Sequence, residues 1–388
     1  MNNHLVKYSN RRNTDCVKWD LLEEKFGDEN LLPLWVADMD FEVPDCVKES
    51  LQAYIETGVF GYYKVPQSYD ESFMAWEEKY FEYKIEKEWI HFSPGVVPAV
   101  HQLIKIMTEV NDSVIVLTPV YYPFFDAVNN NHRNLIKCPL HNNNEVYTIN
   151  FELFEEEIIA NHVKVFISCS PHNPIGRVWT KEELLQLYTI CQRHGVKIIS
   201  DEIHQDIVMK EHKQLSLAAL TNSVDVITVT ACTKTFNLAT CQNSFIIIPD
   251  EEIREKYQTL LLESRIQNGS GFGYVAVESG YRNGRPWLEE VLTIIEDNYM
   301  LLKNKILESG LPITLSELEG TYLAWMNLNH VLGDKTIKEL VQDQAGLAVD
   351  FGDWFGDDEY KNYIRLNLAT VPEIVEQAIT QLLEAIEK

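Results

Sequence analysis

Positive charge is scarce in this chain: 33 Lys and Arg stand against 59 Asp and Glu, a formal net charge of −26. A surface this acidic repels phosphate backbones and anionic lipid, which argues against nucleic acid or a membrane as a partner. Long apolar runs are lacking as well. No uninterrupted stretch approaches the roughly 20 residues of a membrane span. The 7 cysteines fall at positions 16, 46, 138, 169, 191, 232 and 241, with no CxxC pair. An odd number at these spacings excludes a compact disulfide framework and points to reduced thiols in a cytoplasm. Met1–Trp19 is polar and has no apolar core of a secretory leader, so export is not expected. There is no HExxH pair and no GxxxxGKS or GxxxxGKT loop, and the 11 His show no ligand spacing, so no metal site is expected.

What the chain does have is a middle that alternates short apolar runs with helical patterns. Its 388 residues suffice for one large domain and a smaller one. Val114–Leu117, Val163–Ser168, Val196–Ile199, Val224–Val229 and Phe245–Ile248 read as strands buried on both faces. Between two of them, Thr180–His194 opens on Thr-Lys-Glu-Glu, a capping-box pattern, and stops at Gly195. Strand–helix–strand units of this kind predict an α/β fold with a mainly parallel central sheet flanked by helices. From Pro286 apolar residues recur at three and four (Trp287, Leu288, Val291, Leu292, Ile295, Tyr299, Leu302, Ile306), a long amphipathic helix ended by Gly310 and Pro312. A smaller α+β unit follows, closed by a helix after Pro372. The division expected is a large domain at 50–285 and a small one built from both chain ends, 1–49 and 286–388.

Three apolar runs end in polar clusters: Ser170-Pro171-His172-Asn173-Pro174-Ile175-Gly176, Ser200-Asp201-Glu202-Ile203-His204 and Thr233-Lys234-Thr235-Phe236-Asn237. In a parallel sheet all three, with Thr118-Pro119-Val120-Tyr121, lie beyond the carboxyl ends of strands, where ligands bind. A Lys, an acid and an amide donor at neighbouring strand ends are what pyridoxal phosphate (PLP) requires for its aldehyde, its pyridine nitrogen and its ring oxygen. Lys234, Asp201 and Asn173 supply them. Singly each has a bland reading: a loop lysine, a helix-capping Asp, an Asn-Pro turn. The ordered set is what carries the inference. Ser93-Pro94-Gly95-Val96-Val97-Pro98 precedes a helical pattern and fits a loop-to-helix anion cradle, with the Thr230 and Thr233 hydroxyls as further candidates for a phosphate. Tyr121 is positioned to stack on the ring. Gly269-Ser270-Gly271-Phe272-Gly273 lacks a preceding strand and reads as a helix-start turn.

At these residues the chain resembles the fold-type I PLP-dependent transferases, and within them the MalY/PatB type of cystathionine β-lyases, or C–S lyases. Leu34–Phe41, Phe92–Pro98, Pro119–Phe124, His172–Trp179, Asp201–His204, Lys234–Asn237, Gly284–Trp287 and Arg365 in Ile364-Arg365-Leu366-Asn367 carry the likeness. The resemblance implies a homodimer with active sites at the subunit interface. Lys234 is then the lysine that holds the cofactor, Asp201 the pyridine partner, Asn173 the donor to the ring oxygen and Tyr121 the stacking ring. Gly95, Val96 and Val97 cradle the phosphate, and His204 belongs to the cofactor site. Tyr62 reaches the neighbouring subunit's cofactor, and Arg365 clamps the substrate α-carboxylate beside Tyr121 and Asn173. The reaction implied is α,β-elimination of cystathionine or another S-substituted cysteine, a small amino-acid thioether, to a thiol, pyruvate and ammonia. An aminotransferase, or a regulatory protein retaining the fold, are the alternatives. His204 stands where general aminotransferases have Tyr and Gln242 where they have Arg, which favours the lyase. Thr233 and Thr240 replace the usual Ser and Gly, and Gly356–Tyr360 is unusually acidic.

Overall fold

A computed structural model describes residues 5–388. The first four residues, where both the Met1–Trp19 stretch and the 1–49 arm begin, lie outside the described residues. A seven-stranded sheet comprises β1 (Ile90–Ser93), β2 (Ser113–Thr118), β3 (Asn134–Pro139), β4 (Val163–Cys169), β5 (Lys197–Asp201), β6 (Val226–Thr230) and β7 (Ser244–Ile247), in the order β1-β7-β6-β5-β4-β2-β3. Only β7 runs against its neighbours; the other contacts are parallel. The five expected strands are present with ends moved by one or two residues. One of these shifts matters, because Asp201 is the last residue of β5 rather than the first of a loop.

Successive strand residues face opposite sides of the sheet. Val114, Val116, Val165, Ile167, Ile227 and Val229 join one apolar cluster, while Ile115, Leu117, Phe166, Ile198 and Val226 join the other. Helices cover both faces, as nearly continuous apolar strands demand. The helices used below are α1 (Gln67–Phe81), α2 (Val96–Met107), α3 (Lys181–Arg193), α4 (Gly271–Asn283), α5 (Arg285–Ser309) and α6 (Pro372–Glu387). At the start of α3 the capping box forms. Thr180 Oγ1 accepts from Glu183 N at 3.2 Å and Glu183 Oε2 accepts from Thr180 N at 2.8 Å, an arrangement worth about 1 kcal/mol. The Gly269–Gly273 segment is a helix start, with Ser270 capping α4. Pro286 opens α5, and Gly310 ends it at φ +67°.

A second, antiparallel sheet holds β8 (Thr314–Leu315), β9 (Leu323–Asn327), β10 (Asp350–Phe351) and β11 (Tyr363–Asn367) in the order β8-β9-β11-β10. The arm from the N-terminal side lies along it: Leu32–Pro33 pairs with Leu347–Ala348, and Asn367 N donates to Leu34 O at 2.9 Å. This brings residues 34–41 to the carboxyl ends of the large sheet's strands. No helix among the described residues is long and apolar enough to cross a membrane.

α4 meets the loop after β6 at Phe236, which is fully buried. A Cβ on Gly280 would stand 2.7 Å from the Phe236 ring, and one on Gly284 2.6 Å. In an open helix Gly→Ala stabilises by about 1 kcal/mol. Here overpacking is expected to outweigh that gain, so Gly280→Ala loses about 1–3 kcal/mol. Thermal unfolding reads the sign, and a more stable variant would show that Phe236 is not gripped by α4.

Candidate active site

The carboxyl ends of β4, β5 and β6 open onto a cavity of about 200 Å³. Lys234, Asp201, Asn173, His204, Thr233, Tyr121, Gly95, Val96 and Val97 all line it. Larger clefts, of about 380 to 620 Å³, lie elsewhere among the described residues, and the lysines of the 620 Å³ one, Lys210 and Lys213, are exposed. The cavity of about 200 Å³, by contrast, brings a largely buried lysine and a buried carboxyl, Lys234 and Asp201, to one space.

Lys234 follows β6 by four residues, with its Nζ donating to Ala37 O at 2.7 Å. Burial pushes its ammonium down to about 8, and the Arg365 charge adds to that; Asp38 and Asp201 work against it. Asn237, at φ +57°, ties the loop to the arm. Its Oδ1 accepts from Met39 N at 3.1 Å, and its Nδ2 donates to Met39 O and Phe41 O, each at 2.9 Å. Asn tolerates this left-handed backbone because its short polar side chain bonds locally.

Asp201 is 4 % exposed and accepts from Ile203 N at 3.0 Å. Burial raises its carboxyl to about 7 against the pull of that amide and of Lys234. A cation facing it would favour the ionised form. Asn173 accepts from Arg365 Nη1 at 3.0 Å, which leaves its Nδ2 as the free donor. His204 is buried with Nδ1 unpartnered. Burial, reinforced by Lys234 and Arg365, holds its pKa well below the ordinary imidazole value, so the ring is neutral. Tyr121 packs edge-on against Phe124 at 5.8 Å.

Gly95 precedes α2, with Ser93 Oγ donating to its carbonyl at 2.8 Å. The first backbone amides of a helix have no partner within it. Pro98 has no N–H, so Val96 and Val97 present the free donors of that turn. A lysine, an opposed acid, a free amide donor and a two-amide anion cradle around one cavity fit PLP.

Three residues sit otherwise than expected. Thr230 does not line the cavity: its hydroxyl donates to Glu202 O at 3.2 Å, because its side chain lies on the face of β6 turned toward the turn after β5. Arg365, on β11, is 2 % exposed and stands behind Asn173 rather than on the cavity wall. Tyr62 is fully exposed and lies away from its own chain's cavity. Tyr322 was missed by sequence reasoning. It is buried and donates to Ala37 O at 2.8 Å, the same oxygen that Lys234 uses. No local signal marks it; only the apposition of β9 and the arm does.

Comparison with known proteins agrees with this geometry. The chain is 36% identical over 365 residues to cystathionine beta-lyase PatB of Bacillus subtilis, covering 93% of this chain and 94% of that one. It is 28% identical over 386 residues to protein MalY of Escherichia coli, covering 98% of each. The crystal structure of cystalysin from Treponema denticola, which contains a pyridoxal 5'-phosphate cofactor, superposes with a TM-score of 0.94 at 31% identity, covering 100% of this chain and 99% of that one. The model of the aminotransferase class I and II family matches residues 29–386, and this chain belongs to that family.

Proposed function

We propose that this protein is a PLP-dependent carbon–sulfur β-lyase acting on cystathionine or another S-substituted L-cysteine. With cystathionine and one water the products are homocysteine, pyruvate and ammonia. The observation that carries this reading is Lys234 and Asp201 lining one cavity, in a chain 36% identical to a cystathionine β-lyase. When bound, the cofactor supplies an aldehyde for the substrate amine and a protonated ring that takes up the electron pair left on the α-carbon.

The residues do the rest. Lys234 Nζ removes the α-proton; burial has already lowered its affinity for a proton, so it is neutral often enough to act as the base. Asp201 would serve the pyridine nitrogen, a cation beside it favouring the ionised carboxylate, which in turn would keep that nitrogen protonated. Asn173 Nδ2 would donate to the ring oxygen, and Val96 N, Val97 N and Thr233 would hold the phosphate. Arg365 orients the substrate carboxylate through its planar fork. Tyr121 supplies the apolar wall, and His204, neutral, adds no charge that would repel the pyridinium.

The large domain of this reading spans 50–285, with 1–49 and 286–388 forming the small one. The active form is a homodimer in the cytoplasm, with Tyr62 completing the neighbouring site. Supporting this, Val59, Phe60, Tyr62, Tyr63 and Phe272 are an exposed apolar patch, with Phe60 and Phe272 rings 5.2 Å apart. Pyruvate release from L-cystathionine by cofactor-loaded protein, without a keto acid, is the test. Pyruvate and free thiol in equal amounts are expected. Amino transfer that appears only once a keto acid is added would make the protein an aminotransferase instead.

A further inference from the structure

Arg365 is already engaged before any substrate arrives. Asp350 on β10 is its cross-strand partner in register, and Asp350 Oδ2 accepts from Arg365 Nη2. The same Nη2 donates to Trp35 O at 2.9 Å, so both of its hydrogens are committed. Nη1 donates to Asn173 Oδ1 at 3.0 Å, and Nε is buried without a partner. Phe355 lies against the guanidinium, its ring centroid 5.0 Å from Cζ, and restricts tilting of the plane.

A guanidinium offers a carboxylate two forked edges, Nε with Nη2 and Nη1 with Nη2. Both need Nη2. A substrate α-carboxylate that forks onto Arg365 therefore meets Asp350 at the atom it requires. Asp350 is 2 % exposed, and its Oδ1 has no partner. The groups facing it are Arg365 on β11, Lys25 from the helix Leu22–Phe26, and the phenols of Tyr121 and Tyr122 beyond β2. That makes one guanidinium and one lysine, with no second buried cation to balance a second carboxylate. Two carboxylates on one cation cannot both stay ionised at little cost.

We propose that Asp350 is a positioning residue for the substrate-carboxylate clamp: it holds Arg365 while the site is empty and gives up the guanidinium by taking a proton from solvent when the α-carboxylate binds. The proposal rests on the reading of Arg365 as that clamp. Burial already raises the Asp350 carboxyl, with Arg365 and Lys25 opposing it, and an incoming carboxylate raises it further. The unpartnered Oδ1 is the position the proton would take. Substrate binding thus consumes a proton, and KM rises with pH.

The experiment is calorimetric titration of L-alanine, which has the amine and carboxylate but no leaving group, into wild-type and Asp350→Asn holoenzyme at about pH 8. Buffers of different ionisation enthalpy give the number of protons taken up. The expected result is a larger uptake by the wild type, since protons moved at the cofactor cancel in the difference. In parallel, the Asp350→Asn KM for L-cystathionine should be about tenfold lower than wild type near pH 8, the two converging as pH falls. Equal proton counts and parallel KM profiles would overturn the proposal and leave Asp350 a structural ion-pair partner. Should Asp350→Asn fail to fold, Asp350→Glu must retain the proton uptake, and the wild-type count across pH must still rise with pH before reaching its limit; a flat zero refutes it. Arg365→Lys separates the two readings. If its KM matches wild type, the clamp itself is wrong; if KM rises steeply while Asp350→Asn shows no change, only the role of Asp350 falls.

Discussion

Lys234→Ala is expected to lower kcat for pyruvate release by about ten-thousandfold or more, because in the proposed reaction it removes both the covalent attachment of the cofactor and the base. The loss should be chemical rather than structural. Ala37 O, to which Lys234 donates, keeps a second donor in Tyr322 OH at 2.8 Å. The loop remains tied through Asn237 and the buried ring of Phe236. Lys234→Arg should fail almost as completely: guanidinium stays protonated at any working pH and cannot take the α-proton. Pyruvate production together with a thermal melt distinguishes the cases. A Lys234→Ala protein that folds and releases thiol at the wild-type rate would remove this residue from the reaction.

Asp201→Asn should separate activity from stability. In the proposed reaction a full negative charge at position 201 is what would hold the pyridine nitrogen protonated, so kcat is expected to fall about 10²–10³-fold, a size seen when a group aimed at developing charge is removed. The cofactor-free protein should nevertheless gain stability at neutral pH and above. Burial raises the folded-state carboxyl to about 7, whereas an unfolded Asp titrates near 4. Between those values the folded state binds more protons than the unfolded one. Stability therefore declines as pH rises from about 4 to about 7, and the deficit is complete above the folded pKa. Asn carries no such cost, so the variant should be more stable than wild type by a few kcal/mol at about pH 8 in the cofactor-free state. Glu202, raised to about 7, and Asp206, raised to about 6, are buried nearby and give similar slopes, so the comparison must be with the single substitution. Cofactor binding should shrink the difference, because a pyridinium opposite Asp201 restores the ionised form. Equal melting temperatures of the two cofactor-free proteins across this range would show that Asp201 is not strained by burial.

Both expectations depend on residues that the sequence marked out. Lys234, Asp201 and Asn173 could be read because each follows an apolar run, and parallel strands necessarily bring such ends to one edge of the sheet. The α3 capping box and the course of α5 were legible for the same reason: caps and periodicity are local, set by residues three or four apart. The helix start at Gly95–Val97 was legible too, since a glycine before an apolar-periodic stretch fixes where a helix begins.

What the tertiary structure decided was which side chain each of these groups faces. Thr230 reads as a phosphate hydroxyl from its distance to Lys234, but the period-two alternation of β6 turns it to Glu202 O. Tyr322 reaches Ala37 from 285 residues away in the chain. Phe236 is held by Gly280 of α4 and by Gly284, between α4 and α5, whose only local signal is that they are glycines. Asp350 lies 15 residues before Arg365, a separation with no meaning until the antiparallel register of β10 and β11 sets them opposite each other. Spacing and hydrophobic pattern are properties of neighbouring residues, so the chain alone determined the sheet, its helices and the three chemical groups at its edge. Register and burial are properties of segments distant in the chain, and they decided how those groups are charged, held and opposed.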